Sequence, residues 1–148
     1  MHDGSIAMVS VPVSDPDRAK DWYTSVLGMA VESDEQMGPA MRWVMLRPSG
    51  GGAAITLTTW FETMAPGSRK GTVFAVPDIE VAAAHLVAVG ALPEGEAIED
   101  APWGRWVTIE DPDGSGFVAL PNANTGEIFS PLRRYFGATP KVFAKRSL

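Results

Sequence analysis

"SVPVSDPDRAKDWYTSVLGM" (residues 10–29) changes periodicity partway through. Val9, Val11 and Val13 alternate, the period of a strand with one buried face. Asp15 can cap a following helix with its side chain, and Pro16 suits the first helical turn, where its missing N–H costs nothing. Ala19, Trp22, Tyr23, Val26 and Leu27 then follow a helical stripe. Gly28 can take the left-handed conformation that ends a helix. The stretch therefore predicts a strand, a capped helix and an abrupt stop.

The same layout recurs at "VFAVPDIEVAAAHLVAVGAL" (residues 73–92). Val76 and Asp78 follow Val13 and Asp15 by 63 residues, and Gly90 takes the place of Gly28. In this copy Ile79, Ala82, Ala83, Leu86 and Val89 form the stripe. Three strand candidates follow each helix, at 29–33, 40–47 and 53–60 in the first copy and at 92–98, 104–110 and 116–120 in the second. The linking segments have turn composition: "RPSGGGAA" (47–54), "DPDG" (111–114), and "ETMAPGSRKG" (62–71) between the halves. "SGGG" lacks the lysine and following helix of a phosphate-binding loop and reads as a hairpin turn. The expected fold class is α+β: two βαβββ modules, at 1–62 and 63–121, with a C-terminal extension at 122–148, all within one structural domain.

Composition narrows the function. The apolar fraction is 45% and the charged fraction 20%, as in an ordinary water-soluble globular protein. No apolar run is long enough to span a membrane, and the N-terminus has no secretory pattern, so the expected location is the cytoplasm. The absence of cysteine removes disulfide and thiolate chemistry. Residues 1–121 hold 7 Lys/Arg against 17 Asp/Glu, and residues 122–148 hold 5 against 1. An acidic body disfavours nucleic acid. The basic extension is expected to pack on that body or on a partner subunit. Its Ile128, Leu132, Tyr135 and Phe136 have helical spacing, which predicts a short helix over 128–136.

The paired modules, "VSDPDRAKDWYTSVLGM" and "EDPDGSGFVAL" resemble the vicinal oxygen chelate superfamily. That group includes glyoxalase I, extradiol dioxygenases, and fosfomycin- and bleomycin-resistance proteins. The resemblance covers residues 5–121. It implies curved mixed sheets that form a cleft, and a homodimer. In the enzymes of the group the cleft holds a divalent metal on His or Gln of the first strand, Glu of the fourth, His of the fifth and Glu of the last. Those places fall at Met8, Thr56, Gly71 and Val118. None of the four suits Mg²⁺, Mn²⁺, Fe²⁺ or Zn²⁺, which need carboxylate oxygens or imidazole nitrogens. The two histidines, His2 and His85, lie near the free end and mid-helix. The expectation is therefore no metal and no cofactor.

Alternation selects a cleft lining. Met8 and Ser10 share one side of the first strand, and Ala54, Thr56, Thr58 and Trp60 one side of the fourth. Gly116, Val118 and Leu120 do so on the last. Such an apolar floor with a few hydroxyls describes a small-molecule pocket. Trp43, Trp60 and Trp103 can stack on a planar ligand at its edges. The candidate ligand-binding residues are thus Met8, Ser10, Trp43, Thr56, Thr58, Trp60, Trp103 and Val118. Arg42, Glu110 and Asp111 are the nearest polar candidates for acid–base work, and Arg42 should point away from the face that Trp43 occupies. Ser10, Thr56 and Thr58 have no His or Lys nearby to activate them. The sequence favours a metal-free protein that binds or sequesters an aromatic or cationic ligand. Two alternatives stay open: an enzyme (lyase, isomerase or dioxygenase) with a non-standard site, and an interaction protein whose cleft is filled by its own side chains.

Overall fold

The computed structural model describes residues 2–95, 98–102 and 104–121. Trp103, the extension 122–148 and the helix expected at 128–136 lie outside the described residues. The first module comprises β1 (Met8–Pro12), α1 (Pro16–Ser25), β2 (Ala30–Gly38), β3 (Met41–Arg47) and β4 (Ala54–Thr58). The second comprises β5 (Thr72–Val76), α2 (Ile79–Ala88), β6 (Glu99–Ala101), β7 (Gly104–Glu110) and β8 (Gly116–Pro121). Each forms a four-stranded mixed sheet, ordered β1-β4-β3-β2 and β5-β8-β7-β6. In both, the first and last strands pair in parallel at one edge of the sheet. The fold is α+β, built from two βαβββ modules. No helix among the described residues is long and apolar enough to cross a membrane.

The two helices start and stop by the same chemistry. Asp15 and Asp78 each sit in extended backbone and accept hydrogen bonds from the next two free amides. At the far ends Gly28 and Gly90 have φ of 65° and 77°. Beyond each glycine an amide reaches back six residues to a helix carbonyl, Met29 to Tyr23 and Leu92 to Leu86. That bond closes the last turn and needs the left-handed residue before it.

Two strands differ from expectation. β2 runs on to Gly38, because register shifts after Val31 and after Gln36 let it stay paired with β3. β6 lies at Glu99–Ala101 rather than at 92–98. Helix α2 closes on Ala91 and Leu92, and Pro93 follows, so the chain turns before it can pair. On α2 the expected stripe is correct for Ile79, Ala83 and Leu86. Val89 is 43% exposed because it is the C-cap residue, past the last full turn.

By contact the chain divides into two compact units. The first is Met1–Arg69 with Glu110–Ser115, so the β7–β8 turn belongs to it. Its core sets Val11, Val13, Val44, Leu46, Ile55 and Leu57 with Ala19, Tyr23 and Val26 of α1. Tyr23 is fully buried, and its hydroxyl donates to Asp111 Oδ2 at 2.7 Å. Asp111 Oδ1 accepts from the amides of Asp113 and Ser115, at 3.0 and 2.8 Å. Asp113 is held in turn by the Ser14 amide at 3.1 Å, the Ser14 hydroxyl at 2.5 Å and Arg18 at 3.3 Å. Gly67, with φ of 82°, passes so close that a Cβ there would overlap the Asp113 carbonyl oxygen. The second unit runs from Lys70 to Ile109 and resumes at Gly116. Its core includes Ile79, Ala83 and Leu86 of α2, and Phe74 meets Phe117 across the β5–β8 pair at 5.7 Å.

Burial pushes the Tyr23 phenol well above its ordinary value of 10.0, and the charge of Asp111 beside it pushes it further. The folded state therefore prefers the neutral phenol. The contribution of Tyr23 to stability is expected to be level below about pH 10 and to fall by about 1.4 kcal/mol per pH unit above it, where the unfolded chain's phenol ionises and the folded one's does not. Tyr23→Phe should remove that one-proton slope and cost about 1–3 kcal/mol at neutral pH, since it strips a partner from a buried carboxylate. Urea unfolding between pH 8 and pH 11 measures both, and an unchanged slope in the variant refutes the assignment. Gly67→Ala should cost about 3 kcal/mol, from a strained φ and the clash with Asp113; urea titration at neutral pH reads this directly.

Candidate functional site

Helix α1 covers one face of the first sheet, and the candidate residues gather on the other. Strand register puts them there. Ser10 pairs with Thr56, and Met45 lies opposite Thr56 from the other side. One step along the register that pairs Val44 with Leu57, Trp43 stands opposite Thr58. Met8, Ser10, Trp43, Thr56, Thr58 and Trp60 are thereby brought together on one unit. Val118 lies on β8 of the second unit and is 7% exposed. Trp103 is outside the described residues.

This face has a sealed floor and a partly open edge. Every residue of β4 is buried, with Thr56 and Thr58 each at 1% exposure. Around them Ser10, Trp43, Met45 and Trp60 are half-buried and Met8 is exposed. Trp43 and Trp60 stack with centroids 6.2 Å apart and planes 20° from parallel. Phe61 continues the row at 5.8 Å from Trp60 and is 45% exposed. Side-by-side aromatic faces kept partly in contact with water are poor core packing and good stacking surface.

The hydroxyls on the floor are under-used. Thr56 donates to Met8 Sδ at 3.3 Å, and a thioether is a weak acceptor. Thr58 Oγ1 is buried and has no hydrogen-bond partner among the described residues. Each polar group expected near the chemistry is engaged elsewhere or lies at the surface. Arg42 points to the helix side, opposite Trp43, as alternation requires. Its Nε and Nη2 donate to the two oxygens of Asp34, both at 2.9 Å, and Nη1 to Asp17 at 2.6 Å. Lys20 joins at 2.7 Å from Asp34. Hydrogen bonding to Arg42 holds the Asp34 carboxyl well below the usual range, and the bond to Asp34 raises Arg42 in return. Asp111 is committed to Tyr23 and the turn, and Glu110 is exposed.

Met45 and Phe61 belong to the face and were not among the sequence candidates. Alternation from Trp43 would have found Met45. Phe61 was hidden because alternation would send it to the face opposite Trp60. The strand has already ended at Thr58, so the rule no longer applies there.

The four positions at which the family resemblance would put metal ligands carry no strong donor. Met8 and Thr56 come together through the hydrogen bond just described. In the second module Gly71 directly precedes β5, and Val118 pairs with Val73 as Thr56 pairs with Ser10. A thioether, a hydroxyl, a hydrogen atom and an isopropyl group are not a donor set for a hard or borderline divalent ion. Among the described residues no group of three or more His, Cys, Asp or Glu could hold a metal ion.

Comparison with known proteins places this geometry in context. Residues 5–118 match the model of the Glyoxalase/Bleomycin resistance protein/Dioxygenase superfamily. The chain is 30% identical over 116 residues to the protein YetH of Bacillus subtilis (strain 168), covering 76% of this chain and 94% of that one. It is similar to the crystal structure of TnmS3, an antibiotic binding protein from Streptomyces sp. CB03234. There the identity is 32% and the TM-score 0.74, over 83% of this chain and 99% of that one. A glyoxalase/bleomycin resistance protein from the same organism gives 36% identity and a TM-score of 0.67, over 78% and 99% of the two chains.

The donor set makes a direct prediction. Adding Mn²⁺, Ni²⁺ or Zn²⁺ at one to ten equivalents should leave the melting temperature unchanged. A rise that saturates at one equivalent would reveal coordination that these side chains do not account for.

Proposed function

The chain belongs to the Glyoxalase/Bleomycin resistance protein/Dioxygenase superfamily, and we propose that within it the protein is a metal-free binder of a small aromatic or cationic molecule. The observation that carries this reading is the Trp43–Trp60–Phe61 row, stacked yet partly exposed, on the face that also bears Met8, Ser10, Thr56 and Thr58. Stacking supplies affinity through dispersion and burial, and a cation gains further from the negative faces of the rings. The acidic body adds a field that favours cationic and neutral ligands over anions. Neither effect needs a reacting group. Among the described residues the two threonines and Ser10 on this face have no histidine or lysine hydrogen-bonded to them to act as a base, which supports binding rather than turnover. Likeness to an antibiotic binding protein supports the same reading.

N-methylacridinium, planar and singly charged, is a suitable probe. It should quench tryptophan emission saturably. At 100 times its Kd it should add about 2.7 kcal/mol of stability, a rise of about 5–10 °C for a chain of this size. Trp43→Ala or Trp60→Ala should weaken binding about tenfold, the equivalent of about 1.4 kcal/mol. Equal affinity in both variants and the wild type would place the ligand elsewhere. No shift with N-methylacridinium or with neutral planar compounds would reject the reading.

A further inference from the structure

Thr58 has an incomplete hydrogen-bond set for a residue so deeply buried. The residue is 1% exposed, and its hydroxyl has no partner among the described residues. A buried unpaired hydroxyl destabilises the folded chain, and valine would fill nearly the same volume without that cost. Two residues away, on the same side of β4, Thr56 spends its proton on the Met8 thioether, a bond that a better acceptor would displace. Side chains two apart on a strand are about 6.7 Å from each other. The floor thus presents two donors, one idle and one weakly used.

The aromatic pair frames the idle donor. One step beyond the paired Val44 and Leu57, the register brings Trp43 opposite Thr58, and Trp60 follows Thr58 by two residues. Both indoles are only half-buried, and their 6.2 Å separation is looser than the contact distance of a close parallel stack.

We propose that Thr58 is a specificity-determining residue, whose hydroxyl donates to a carbonyl oxygen on a planar aromatic ligand stacked against Trp43 and Trp60, with Thr56 as a second donor. This rests on the binding reading above and narrows it from aromatic ligands in general to those that carry an oxygen acceptor in the plane of the ring. A carbonyl oxygen fits best, because its lone pairs lie in the ring plane while the ring faces remain free to stack. A site built this way rejects the analogue that lacks the oxygen, since the donor is again left unpaired.

Fluorenone and fluorene, each bearing the same trimethylammoniomethyl group, have one frame and one charge and differ in a single carbonyl. The wild type should bind the fluorenone probe at least about tenfold more tightly. Thr58→Val should abolish the preference, bringing the two probes to equal affinity. It should also melt no lower than the wild type, because it removes an unpaired polar atom. Thr58→Ser, which keeps the hydroxyl, should keep the preference. If the fluorene probe binds but the wild type shows no preference for the carbonyl, the aromatic reading stands and this inference fails. If Thr58→Val keeps the preference, or melts well below the wild type, the donor is not Thr58. If neither probe binds, both readings fall together.

Discussion

A buried carboxylate holds the first unit together. Asp111 comes from the second copy of the repeat, yet its turn is built into the first unit, where Tyr23, the Asp113 amide and the Ser115 amide share its two oxygens. A charge taken out of water is tolerated only when it is well hydrogen-bonded, and three donors meet that requirement. The rest follows from the need to present them. Tyr23 must be on the buried stripe of α1, so the helix must start at Pro16 and its cap at Asp15. The turn must place two amides within reach of its own first side chain, which "DPDGS" does with Gly114 at φ 97°. Asp113 must face Ser14 and Arg18, and the linker must pass at Gly67, where no side chain fits.

With the turn and helix fixed on one side of the first sheet, the opposite face is left for other work. Alternation sends Arg42 to the helix side, where it joins Asp17, Asp34 and Lys20, and sends Trp43 to the other. Charge and aromatic surface are thus separated across one strand. Mostly exposed ion pairs of this kind add little to stability. Their consequence here is positional: they keep a guanidinium away from the indoles, leaving the ring faces free.

The two modules have diverged under one backbone. Position by position the parallel pairs match, Ser10 with Thr56 and Val73 with Val118. The first copy carries hydroxyls at this pair, and the second carries the apolar Val73 and Val118. Register is a backbone property, so the two parallel pairs keep it whatever side chains they bear.

Much of this was legible in the sequence because the signals are local. Caps at Asp15 and Asp78, stops at Gly28 and Gly90, and alternation through Val9, Val11 and Val13 depend on neighbours within a few residues. Period two alone set Arg42 and Trp43 on opposite faces; which face each takes is decided by the ion pairs of Arg42 with Asp17 and Asp34. The misses share a cause. β6 and the length of β2 depend on what a distant strand offers as a pairing partner, and Phe61 escaped because where a strand ends is not a local property. The partner of Tyr23 was equally invisible, 88 residues away. So too was the state of Thr58: composition says that a hydroxyl is present, but only the packed structure decides whether anything accepts its proton. Sequence determined the repeat, its caps and the face each strand residue takes, because these are set by bonds and angles of adjacent residues. Tertiary structure decided which buried polar atoms are paired and which are left waiting, because pairing is settled by distances that the chain closes only when it folds.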